Sequence, residues 1–198
     1  MSSELKTNKV SPATGTALQI GDSGDTITIP SGATLTNSGS ATGFGKVLQV
    51  VQAIKSDTTS IQSATLTSTG LEASITPSAT SSKVLILINA FIGTNTDVTP
   101  YFQINRDSTV LTDALGDAAG SRSRNTTGSQ YQYSAYNNIA APILHLDSPS
   151  STSALTYKLM WAQYANTYVT FLNRAYLDVD AGYYSRSAST MILMEIAG

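Results

Sequence analysis

The chain has 198 residues, of which 41% are hydrophobic and 12% charged, with a formal net charge of −2. That balance leaves no basic footprint for nucleic acid, and it supplies too much apolar material for wholesale disorder. The chain has no cysteine, which excludes a disulfide framework, thiolate catalysis and a zinc–thiolate site.

Residues 1 to about 45 form one compositional unit. The first fifteen, MSSELKTNKVSPATG, hold no continuous apolar h-region, so no secretory signal is expected. Apolar residues are sparse here, and turn signals recur at Ser11-Pro12, Gly21-Asp22, Gly24-Asp25 and Pro30-Ser31-Gly32. Within SGDTITIPSGATLTNSG, Ile27, Ile29, Ala33 and Leu35 share odd parity, and threonines fill the even positions. That alternation predicts two short strands with one narrow apolar face. An isolated hairpin is marginal in water, and this unit is too poor in apolar area to enclose a core of its own. The expectation is a β stem whose seam, Ile27, Ile29, Ala33 and Leu35, is shared between chains. Ser38 to Gly45 then reads as a linker.

Residues 46–198 read as one β domain. Roughly a quarter of the whole chain is Ser or Thr, which suits strands joined by polar turns. Strands are expected at 47–54 (VLQVVQAI), 61–67, 71–75 and 83–92 (KVLILINAFI). The last is a near-continuous apolar run, the pattern of a strand buried on both faces. Residues 101–105 and 109–111 flank Asn105-Arg106-Asp107-Ser108, a hairpin turn by composition. Residues 113–129 are the longest polar stretch, the kind of loop that carries function. Further strands are expected at 131–136, 139–146, 155–164, 167–172 and 189–196. Short strands at this spacing predict a jelly-roll-like β-sandwich. No apolar run approaches the ~18 residues of a membrane span.

Candidate chemistry is sparse. The single histidine, His145, shares a strand face with Asp147, but no G-x-S-x-G nucleophile motif accompanies the pair. A core or interface histidine is the expected role. Glu4, Glu72 and Glu195 are the only glutamates, a poor supply for a glycan-degrading enzyme. Catalytic residues, cofactor sites and metal sites are therefore not expected. Asp178 and Asp180 offer two carboxylates but lack the calcium-loop pattern, so a solvated turn is the expectation. Asn125-Thr126-Thr127 fits the glycosylation pattern, which has no bearing without secretion. All ten tyrosines lie beyond residue 100. Tyrosine offers large contact area at low entropy cost, so Tyr131, Tyr133, Tyr136, Tyr183 and Tyr184, with Arg122 and Arg124 of the long loop, are candidate receptor or glycan contacts.

The segment from Ser3 to Gly45, with SITPSATSSKVLILI, RDST, LGDAAGSRSR, HLDSPSSTSALTYKL and RSASTMILMEIAG, resembles virion structural proteins of marine tailed phages. Such phages infect cyanobacteria and abundant ocean bacteria. The likeness spans nearly the whole chain. It implies a non-enzymatic homotrimeric appendage of fibre or spike type, made in the host cytoplasm and built into the virion. The N-terminal part would anchor to other virion proteins, and the head would meet a host-surface glycan or protein. It brings no catalytic residues. A fully extended segment of 45 residues reaches at most ~150 Å, which fits a short fibre, a compact spike or a capsid-surface appendage. The rival expectation is a stand-alone carbohydrate-binding, lectin-like module.

Overall fold

The computed structural model describes residues 10–12, 14–36, 38, 47–94, 100–128 and 135–198. The chain divides into two units, Met1–Phe44 and Gly45–Gly198.

In the first unit the described residues carry turns and no strand. The Ala33 amide donates to the Pro30 carbonyl at 3.1 Å, and Gly32 takes φ +84°. That is a type II turn, which needs a left-handed residue at its third position. Asp22 to Asp25 repeat the device: the Asp25 amide donates to the Asp22 carbonyl at 3.0 Å, Gly24 has φ +97°, and the Asp25 carboxylate accepts from the Asp22 amide. Both turns fall where composition placed them. The side chains between and after them are exposed, with Ile27 and Leu35 each 61% accessible.

The second unit is all-β, with ten strands among the described residues. They are β1 (Val47–Lys55), β2 (Thr59–Ile61), β3 (Thr67–Ile75), β4 (Lys83–Thr94), β5 (Tyr101–Arg106), β6 (Thr109–Val110), β7 (Ile139–Asp147), β8 (Leu155–Ala162), β9 (Thr170–Leu172) and β10 (Ser189–Ile196). The expected strand over 61–67 starts and ends earlier, as β2, and 62–66 are irregular. The strand expected over 131–136 lies mostly outside the described residues, and Ala135 and Tyr136 form a turn.

Two antiparallel sheets pack face to face. One runs β3-β8-β5-β6. In the other, β10 and then β9 line one edge of β4, pairing with residues 83–89 and 92–94, while β7 lines the opposite edge. β1 pairs with β10 and β2 with β9, so β1 and β2 are two halves of one interrupted strand. The orders β1-β10-β4-β7 and β3-β8-β5-β6 are those of a jelly-roll-like sandwich, the expected architecture.

Alternation fixes which face is inside. Leu71, Ala73 and Ile75 of β3 and Leu155, Tyr157, Leu159 and Trp161 of β8 all point into one core with Ile86, Ile92, Met191 and Leu193 of the opposing sheet. Trp161 stacks on Phe102 with ring centroids 6.5 Å apart. Each such large side chain contributes about 1.5–3 kcal/mol on burial.

β4 departs from expectation. Val84, Ile86, Ile88, Ala90 and Ile92 are buried, but the alternate residues from Leu85 to Phe91 are only half-buried. The run reads as covered on both faces, and a single chain covers one.

Toward the two ends of β10, polar clips join the apolar packing. Asn173 is fully buried, with φ +66°. Its amide donates to the Lys55 and Asp57 carbonyls at 2.7 and 2.8 Å, bridging the break between β1 and β2. Its own N–H donates to the Phe91 carbonyl at 2.8 Å. At the other end of β10, the buried Glu195 accepts from Gln49, the Ser78 amide and hydroxyl, and Ser82 at 2.6–2.7 Å. Burial alone would raise its pKa. The donors from Ser78, Gln49 and Ser82 outweigh it and hold the carboxyl at about 2.

Candidate functional site: an aromatic and polar groove

The long polar loop is fastened to the sandwich. Beside β5, the Thr126 amide donates to the Phe102 carbonyl at 2.8 Å, and the Phe102 amide to Thr127 at 3.1 Å. Gly116 donates to the Asn125 carbonyl at 3.2 Å, closing the loop on itself. Arg124 Nε braces that closure by donating to the Gly116 carbonyl at 2.7 Å, and Gln103 holds the Arg124 carbonyl at 2.7 Å.

The fastened loop forms one wall of an open groove of about 500 Å³. Arg122, Ser121, Ser123 and Asn125 come from the loop; Tyr101 opens β5, and Tyr164 follows β8. Arg122 is exposed, and among the described residues its side chain bonds only to the Ala119 carbonyl, at 3.2 Å. Tyr164 is 79% exposed. The Asn125 side-chain oxygen is buried and unpartnered among the described residues. Aromatic faces, hydroxyls, an amide and one cation in a wet concavity form a chemistry that grips polyhydroxylated ligands.

The structure separates the expected contact residues. Arg122 is in the groove, whereas Arg124 is occupied inside its loop. Tyr131 and Tyr133 lie outside the described residues. Tyr136, Tyr183 and Tyr184 do come together, as a cluster with centroids 4.7–6.0 Å apart. Tyr184 also lines a hollow of about 250 Å³ with Asp178, Asp180 and Arg186. Asp178 is taken up by Arg186 at 2.6 Å and Arg174 at 3.3 Å, so its charge is compensated within the chain. Sequence reasoning missed Tyr101 as a groove wall, because its position at the start of a strand gave no sign of which surface it would edge.

His145 and Asp147 do share a face of β7, and both turn inward. Asp147 Oδ2 accepts from Arg106 of β5 and from Tyr157 of β8, each at 2.6 Å. These bonds link the two sheets. Burial first, then the Asp147 carboxylate, pushes the Tyr157 phenol far up. His145 Nε2 lies 3.5 Å from Asp113, and it is buried with no hydrogen-bond partner among the described residues. Among the described residues no serine hydroxyl bonds to this nitrogen. Asp113, His145 and Asp147 offer ligand atoms within 4.8 Å of one another. A cation there would have to displace the Arg106 guanidinium from Asp147, so the group fits an inter-sheet clamp better than a metal centre.

The fold and its surfaces define a jelly-roll-like β-sandwich preceded by an apolar-exposing extension. Among known proteins, no family model and no curated sequence matches the chain. No helix among the described residues is long and apolar enough to cross a membrane.

Proposed function

We propose that this chain is a structural and adhesive protein of a phage virion, a homotrimeric short fibre, spike or capsid-surface appendage. The observation that carries the reading is in the first unit. Val10, Leu18, Ile20, Ile27, Ile29 and Leu35 are all exposed in the single chain. Regular turns at Asp22–Asp25 and Pro30–Ala33 hold a segment that buries none of these side chains in a core of its own, which is the state of a part awaiting neighbours. The resemblance of the sequence to marine tailed-phage virion proteins supplies the setting. Closed three-fold symmetry is one way for parallel copies to bury such a seam.

The head serves attachment, to a host-surface glycan or to a neighbouring virion protein. Imaging of intact particles with an antibody against the head tests the placement. Light scattering on the full chain tests the assembly. An assembled chain whose Ile27→Asp, Ile29→Asp variant comes apart supports a stem seam; unchanged mass and melting would mean that the strip serves another virion protein.

The groove favours a second reading, a stand-alone carbohydrate-binding module. Its Tyr101, Tyr164 and Arg122 suit a sugar ring and an acidic substituent. A monomeric chain that binds glycans, with binding lost on Tyr164→Ala, would favour this module over the appendage.

A further inference from the structure

We infer that the outward face of the β1-β10-β4-β7 sheet is the surface on which the heads of this protein pack against one another. The inference rests on the assembly reading above and places the contact on the sandwich in addition to the extension.

Strand register builds the face. One row across the sheet consists of Val50, Met194, Leu85 and Leu146, each opposite the next in the pairing of adjacent strands. The neighbouring row places Gln52, Ile192, Leu87 and Leu144 side by side. All of them point away from the core, since their chain neighbours are the ones buried in it or, on β1, half-buried against it. Lys83, at the end of the inner strand β4, is the only charged residue among the outward positions of these four strands. A solvated outer face of an antiparallel sheet normally carries polar residues at these positions. Here β4 and β10 keep the continuous apolar pattern of strands covered on both sides.

Size and shape indicate the occupant. Four strands about 4.8 Å apart and about eight residues long, at ~3.3 Å each, make a face of roughly 500 Å² in projection. Side-chain relief adds to that, toward the ~800 Å² that one partner contributes to a standard protein interface. Lone exposed apolar residues need no explanation, but a contiguous patch of this size does. A hollow on the face, lined by Leu87, Asn89, Leu144, Thr190 and Ile192 among others, measures about 160 Å³. That is below the ~300 Å³ of small-molecule sites and suits a single apolar side chain. The edge strands carry the most exposed residues, with Val50 57% and Leu144 69% accessible, while the central Leu85, Leu87, Ile192 and Met194 are half-buried. An apolar face charged only at Lys83, and of the area one partner brings to a stable interface, fits a second copy of the same chain.

The test uses the full chain and two variants. Light scattering on the natural sequence should give three times the 20.8 kDa chain mass. Val50→Lys with Leu144→Lys should weaken association by at least about tenfold, while circular dichroism still shows the folded head. Leu144→Cys is milder, and it introduces the sole thiol into a cysteine-free chain. In the assembled protein that thiol should react with a maleimide at least about tenfold more slowly than a free thiol. An assembled chain with undiminished association in the lysine variant, or a fast-reacting thiol, overturns the inference and leaves the assembly reading standing. A natural sequence that runs as a single chain overturns both. A single-chain mass with a protected thiol would show the face covered by the chain's own extension, which also overturns it.

Discussion

Ser189 Oγ donates to Asn173 Oδ1 across 2.6 Å, and that contact ties the first residue of β10 to the residue that stitches β1 to β2. Ser189 Oγ also accepts the Phe91 amide at 2.9 Å, so three segments far apart in sequence meet at two side chains. Asn173→Ala should lose at least about 2 kcal/mol in denaturant unfolding, from the loss of its hydrogen bonds to the Lys55 and Asp57 carbonyls and to Ser189, and from alanine in a left-handed conformation. Asn173→Gly should restore only the backbone part. Equal losses for the two would show that φ contributes nothing.

Glu195 makes the sandwich acid-sensitive. Its carboxyl sits at about 2 in the folded chain, against 4.5 ordinarily. A depressed folded value means that the unfolded chain takes up the proton first. The stabilisation is complete above pH ~4.5 and is lost as pH falls toward 2. Thermal melts between pH 6 and 2.5 should show a fall that Glu195→Gln flattens. In that variant stability at neutral pH should drop by about 1–3 kcal/mol, since neutral Gln cannot accept all four donors.

Tyr157 predicts the opposite slope at high pH. Its phenol is held neutral in the folded state by burial and by Asp147. A raised folded value gives stability that is present below pH ~10 and lost as pH rises beyond it, because only the unfolded chain releases the proton there. Ultraviolet titration should show one tyrosine that ionises only with unfolding, and Tyr157→Phe should abolish that component. Asp147→Ala, which strands Arg106 and the phenol, should cost about 3–5 kcal/mol in stability.

Gly93 marks a close approach inside the fold. A β-carbon there would fall 2.1 Å from the Arg174 carbonyl oxygen and 2.8 Å from the Ala175 carbonyl carbon. These are backbone atoms that cannot turn aside. Gly93→Ala should destabilise by about 3 kcal/mol or more, read as a lower melting temperature. A neutral result would mean that 174–175 move freely against β4.

Much of this molecule is readable from the sequence because its strands are short and strictly alternating. Leu71, Ala73 and Ile75 declare their face, and Asn105 to Ser108 declare their hairpin. The clips are not readable. Asp147 meets Arg106 and Tyr157 across 41 and 10 residues of chain, on strands of the other sheet. No local pattern encodes such a meeting. The groove is half readable: the polar loop and Arg122 stand out, but Tyr101 joins them only through the docking of 126–127 on β5. In KVLILINAFI the sequence carries a demand for cover on both faces that one chain does not meet.

The position of β10 between β1 and β4 has a consequence during synthesis. On the ribosome, β1 and β4 emerge long before their common partner, and each waits with an open edge and an apolar side. The central sheet closes only when residues 189–196 arrive, so most of its pairing is non-local and slow. Until then the nascent chain is a collection of adhesive strands. Truncation upstream of Ser189 would leave them so permanently, and such fragments should be recovered as aggregates rather than as smaller folded domains.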